Sequence, residues 1–127
     1  MTINIILFII SSVSLSAFAQ IVLKMGMSNA KVQNDLMIAG NLFEKLFIAL
    51  TNVYVVAGIS MYLLSMVLWL VVLSKIDVSV AYPFVGLGFI ITMVLGFLLL
   101  NEQISAMRVM GTILVVCGVL MVSSTQS

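Results

Sequence analysis

Apolar residues fill four long runs, 3–23, 53–73, 78–100 and 104–122, and the polar residues gather mostly between them. Each run is near the roughly 20 residues that an α-helix needs to cross a bilayer. The runs are apolar all round rather than alternating, and backbone groups in lipid must be satisfied within their own segment. Helices are therefore favoured over barrel strands. The pattern predicts an all-α integral membrane protein, one four-transmembrane-helix bundle over residues 1–127.

The connections carry their own signals. Between the first two runs, Leu36, Ala39, Phe43, Leu46, Phe47 and Leu50 recur at helical spacing, while Asp35, Asn41, Glu44 and Lys45 interrupt them. This predicts an amphipathic interfacial helix between helices one and two. A downward extension of the second helix fits the same pattern, with Thr51 and Asn52 offering a break and a cap. Lys75 suits a helix C-terminus and Asp77 is placed to cap the third helix, so helices two and three should be antiparallel neighbours. Asn101-Glu102-Gln103 ends the third run, Ser105 can cap the fourth, and Arg108 can snorkel to the interface.

Composition sharpens the class. Hydrophobic residues make up 64% and charged residues 7% of the 127, against about 45–50% and about 25% in soluble domains. No length remains for a soluble domain. There is no His, Cys117 is the single cysteine, and the formal net charge is +1. A histidine or multi-Cys metal site and a nucleic-acid footprint lack their raw material, and no cofactor is expected. Partners should be lipids, small solutes or other membrane helices. Ala17-Phe18-Ala19 has the form of a signal-peptidase site, yet no Lys or Arg precedes Lys24. A leader needs a positive start, so the first helix is expected to be retained. Lys24, Lys31, Lys45 and Arg108 flank loops one and three, against Lys75 alone on the other side. The positive-inside rule then puts those loops in the cytoplasm and both termini outside.

Polar residues inside the runs are the candidates for function. Ser12, Ser16, Gln20 and Lys24 follow one another by fours, a drifting face about 18 Å long at about 1.5 Å per residue. A Gln or Lys facing lipid would be costly, so this face should point into the bundle or a wet cavity. The bland alternative is that Ser and Gln bond neighbouring helices and Lys24 snorkels. In the second helix Tyr54, Gly58, Tyr62, Ser65 and Trp69 share a face whose rings can stack on sugars or cations. In the third, Pro83 removes a donor to the Ser79 carbonyl, and with Gly86 and Gly88 close behind it marks a hinge. In the fourth, Gly111 and Gly118 lie one heptad apart and open a flat stripe for close helix contact, read as a dimer interface. Asp35, Glu44, Asp77 and Glu102 all lie in or next to connections, so no run holds the deep carboxylate that a proton-coupled exporter of organic cations would need.

Taken together, Ser16-Ala17, Gln20 and Lys24, then Met66-Val67-Leu68-Trp69-Leu70, Val80-Ala81-Tyr82-Pro83, Asn101-Glu102, Gly111 and Gly118 resemble the four-helix members of the drug/metabolite transporter superfamily, the EamA-like proteins. Within it the chain is most similar to the small subunits that flip aminoarabinose-phosphoundecaprenol for lipid A modification, and is related to the small multidrug resistance proteins. The resemblance implies a homodimer, or a heterodimer with a related small subunit, moving an amphipathic substrate by alternating access. In the multidrug proteins a Glu stands eight residues before the Lys matching Lys24. Here that position is Ser16, which argues against drug–proton antiport by that route.

The sequence thus predicts a transporter or flippase of the bacterial inner membrane, not an enzyme, with no nucleophile–base pair, metal cluster or phosphate loop. Its expected substrate is a lipid or lipid-linked sugar, most readily one carried on undecaprenyl phosphate. Ser12, Ser16, Gln20, Lys24, Tyr62, Trp69 and Tyr82 are the expected binding residues. An exporter of organic cations and an accessory subunit that transports nothing are the alternatives.

Overall fold

The computed structural model describes residues 2–125; Met1 and Gln126–Ser127, which the single-domain expectation also covers, lie outside the described residues. The elements are α1 (Ile3–Met27), α2 (Ala30–Ile38), α3 (Leu42–Leu50), α4 (Val53–Leu73), α5 (Val78–Ala81), a 3-10 turn (Tyr82–Val85), α6 (Gly86–Leu100) and α7 (Ala106–Ser123). The expected all-α architecture holds. Four helical stretches, Ile3–Met27, Val53–Leu73, Val78–Leu100 and Ala106–Ser123, are long and apolar enough to span a membrane. The first outruns its apolar run and carries Lys24 inside its last turn, where the helix C-terminus favours a cation.

Capping chemistry sets most of the boundaries. Asn52 accepts from the Tyr54 and Val55 amides at 2.9 and 3.2 Å to start α4. Ser105 accepts from the Arg108 amide at 3.2 Å to start α7, and the Arg108 guanidinium folds back to the Gln103 carbonyl at 3.0 Å. Asp77 occupies the N-cap position of α5, but its side chain makes no capping bond, so the expected Asp77 cap is one of position only. The amphipathic connection is helical, as expected, and separate from α4. It is a pair of short helices broken at Ala39–Asn41. Asn41 accepts from the Glu44 amide at 2.9 Å while the Glu44 carboxylate accepts from the Gly40 amide at 2.7 Å, a reciprocal box that starts a new helix. Phe43, Leu46 and Phe47 remain exposed along α3, as an interfacial face requires.

α1 is the spine, with α4 packed along its length and α6 against another side. The core gathers Ile9 and Val13 of α1, Val72 of α4 and Ala81 of α5, with Trp69, Phe84, Leu87 and Ile91 packed on it. Without a hydrophobic drive between helices in lipid, close approach through small residues has to supply the contact. Gly58 does so for α1 and α4: a Cβ there would stand 2.7 Å from Leu23 Cγ and 3.2 Å from the Ala19 carbonyl oxygen. α7 is peripheral, with only 6% of its apolar window buried, and it docks on α6 where a Cβ on Gly86 would overlap Val115.

Candidate functional site

The polar residues of α1 do not open onto one continuous path. Ser12 and Ser16 face α4 and the 3-10 turn, where they line a cleft of about 250 Å³ with Tyr62, Ser65, Trp69 and Tyr82. Five of the seven expected binding residues therefore meet in one place. Ser12 donates to the Ser65 carbonyl at 2.8 Å, Ser65 to the Tyr62 carbonyl at 2.7 Å, and Ser16 to the Val13 carbonyl at 2.9 Å. Each hydroxyl proton is thus committed to backbone, and the oxygens' lone pairs remain for an incoming donor. Tyr62 and Tyr82 are exposed, and Trp69 is half-buried with its ring against the core. The break at Pro83 matters here, because the 3-10 turn carries Tyr82 at the edge of this cleft.

Gln20 and Lys24 face elsewhere. A step of four residues turns a helix about 40° past a full revolution, so the row drifts from α4 toward α6 as it runs from Ser12 to Lys24. Gln20 lines a cleft of about 560 Å³ with Thr92 of α6, Glu102 and Arg108. Lys24 lines one of about 670 Å³ with Ser28, Asn29, Tyr54 and Glu102. Loops one and three consequently share one end of the bundle. Tyr54, assigned by spacing to the face of Tyr62, belongs to this end.

Glu102 is the residue that sequence reasoning passed over. Asn101 takes the left-handed conformation, φ 55°, and the Glu102 amide donates to the Gly96 carbonyl at 3.1 Å. The chain reverses, and the Glu102 side chain lies back along α6: a Cβ on Gly96 would stand 2.7 Å from Glu102 Oε2. Gly96 lies four residues before the end of α6, about 6 Å by helix rise. A carboxylate assigned to a connection is therefore carried about one turn back beside an apolar run. The signal available was an Asn, which tolerates the left-handed region, followed by an acid and preceded by a glycine at the right distance.

The other glycines divide by role. Gly86 and Gly88 sit at helix contacts, Gly88 with Val13 Cγ1 3.3 Å from where its Cβ would be. Among the described residues nothing lies within 4 Å of a Cβ placed on Gly111 or Gly118. Gly118 lines a cleft with Pro83, Gly86 and Phe89. No group of three His, Cys, Asp or Glu comes together among the described residues.

Comparison with known proteins agrees with this anatomy. The EamA-like transporter family pattern matches residues 1–124. The chain is 33% identical over 122 residues, 92% of its length and 90% of the relative's, to a protein of Proteus mirabilis named "probable 4-amino-4-deoxy-L-arabinose-phosphoundecaprenol flippase subunit ArnF". It is 28% identical to the ArnF of the same description from Serratia proteamaculans, over 90% of this chain and 88% of that one. It is 30% identical to an ArnE subunit from Pseudomonas savastanoi, over 61% of this chain and 68% of that one. No solved structure gives a significant match. A bundle of apolar helices with its polar groups in clefts between them, matched over nearly its whole length, belongs to the EamA-like transporter family.

Proposed function

We propose that the chain moves an undecaprenyl-phosphate-linked sugar across the bacterial cytoplasmic membrane, as one subunit of a homodimer or of a heterodimer with a related small subunit. The observation that carries this reading is the meeting of Ser12, Ser16, Tyr62, Trp69 and Tyr82 around one cleft in an otherwise apolar bundle. Polar residues inside a membrane bundle mark substrate pathways, and ring faces beside hydroxyls suit a sugar. The names of the ArnF and ArnE relatives support the lipid-linked sugar. In this reading the lipid tail stays in the bilayer and only the head group needs a polar route. Lys24 captures the phosphate from the interface, Gln20 replaces its water in the cleft beside α6, and Ser16 does so in the separate cleft beside α4. The head group then passes to the rings of Tyr62, Trp69 and Tyr82. The break at Pro83, with Gly86 and Gly88, lets the two halves of the third span tilt separately, giving alternating access. Loops one and three, with four of the five cations, lie on the cytoplasmic side and the termini outside. Gly111 and Gly118 form the contact with the second subunit.

Purified protein in liposomes, given a short-chain polyprenyl-phosphate sugar, tests the reading. Transbilayer movement by the chain alone or with its related subunit supports it. A scaffolding subunit without transport is the rival, favoured by the largely uncovered α7. It is established if movement is absent in both mixtures while a partner protein still binds.

A further inference from the structure

We propose that Glu102 is a specificity-determining residue: held against Gly96 and lining both the cleft of Lys24 and that of Arg108, it selects head groups that carry a cationic amine besides their phosphate. The inference rests on the lipid-linked-sugar reading and adds the charge pattern that the site takes. Glu102 is the wall shared by two adjoining clefts, one with Gln20 and Arg108, the other with Lys24 and Tyr54. In each cleft the carboxylate thus shares the lining with one cation. A phosphate alone would be met by Lys24 or Arg108 and repelled by the carboxylate that shares either cleft. A neutral sugar would have no use for it.

The backbone makes the placement specific. Asn101 adopts a left-handed conformation to reverse the chain. Gly96 accepts the Asn101 and Glu102 amides through its carbonyl. The missing side chain of Gly96 leaves the room that Oε2 fills, since a Cβ would stand 2.7 Å from it and 3.3 Å from Cδ. An acid that only marked the end of a span would extend into the interface. This one is folded back about one turn along α6 against Gly96, with its carboxylate open to both clefts. A ligand ammonium entering either cleft meets it through a charge-assisted hydrogen bond, while the phosphate of the same ligand goes to the cation of that cleft.

The test compares two short-chain polyprenyl phosphates, one bearing a 4-amino-pentose and the other the same pentose with a hydroxyl in place of the amine. Their binding to the detergent-solubilised full chain is measured by calorimetry at neutral pH. The wild type should prefer the amine by about tenfold or more, the worth of one hydrogen bond between charged groups. Glu102→Gln should reduce that preference to less than about twofold, and Gly96→Ala, which displaces the carboxylate from the other side, should do the same. Lys24→Gln should weaken both lipids alike and keep the preference. Equal affinity of the wild type for the two lipids, or a preference that survives in Glu102→Gln, overturns the inference and leaves the lipid-linked-sugar reading standing. Binding of neither lipid by the wild type, alone or together with its related subunit, overturns both.

Discussion

The hydroxyl of Ser12 donates to the backbone carbonyl of Ser65 across 2.8 Å, buried between α1 and α4. One serine thus joins the two most extensively packed helices at the wall of the cleft that gathers the candidate binding residues. Replacing Ser12 by Ala removes the bond but leaves the Ser65 carbonyl its place in the α4 ladder. The expected loss is about 0.5–1 kcal/mol, the usual worth of an interhelical bond in a membrane. Reversible unfolding in mixed micelles measures it. A loss several times larger would mean that the bond organises the interface rather than decorating it.

Gly58 should tolerate no side chain. A methyl there meets Leu23, which can move, and the Ala19 carbonyl oxygen at 3.2 Å, which is backbone and cannot move without its helix. Gly58→Ala is expected to destabilise by about 1–3 kcal/mol, as overpacking does. The melting temperature of the solubilised protein reads this directly, and an unchanged value would show that α1 and α4 slide apart at little cost.

Gly118→Leu gives the opposite expectation for the subunit itself, because nothing lies within 4 Å of a Cβ there and the cleft it lines leaves room for the rest of the side chain. The fold should be retained while association through α7 is lost. Co-purification of two differently tagged copies, and of one copy with the related subunit, would report it. If both associations survive the leucine, the subunit contact lies on another face.

Lys24→Gln should weaken a phosphate-linked substrate by about 1–3 kcal/mol, the range for hydrogen bonds to a charged group, with assembly intact. Gln20→Leu should slow transport as well, since Gln20 lines the cleft that holds Glu102 and Arg108. Wild-type transport rates in both variants would remove this end of α1 from the pathway.

Pro83→Ala restores an amide that can reach the Ser79 carbonyl, extending α5 through the 3-10 turn. Stability should rise by about 1 kcal/mol, one backbone hydrogen bond, and transport should slow as the break is lost. Measuring both on one preparation separates the hinge from a packing role, for which the rate would follow stability.

The number and class of the spans, and most of their ends, were written in local chemistry. Uninterrupted apolar runs have one solution in lipid, and Asn52, Ser105 and Arg108 act within a few residues of themselves. The aromatic cleft was also legible, because Ser12 and Ser16 on α1 and Tyr62, Ser65 and Trp69 on α4 each lie on one helical face. What spacing could not decide was toward which neighbour each turn of α1 points. A row spaced by fours drifts around its helix, and only the placement of α4 and α6 on different sides of α1 divides Ser12 and Ser16 from Gln20 and Lys24. Glu102 is the clearest case. By sequence it belongs to a loop, yet the left-handed turn at Asn101 and the space left by Gly96 bring its carboxylate back beside α6, to a place that only the folded backbone defines.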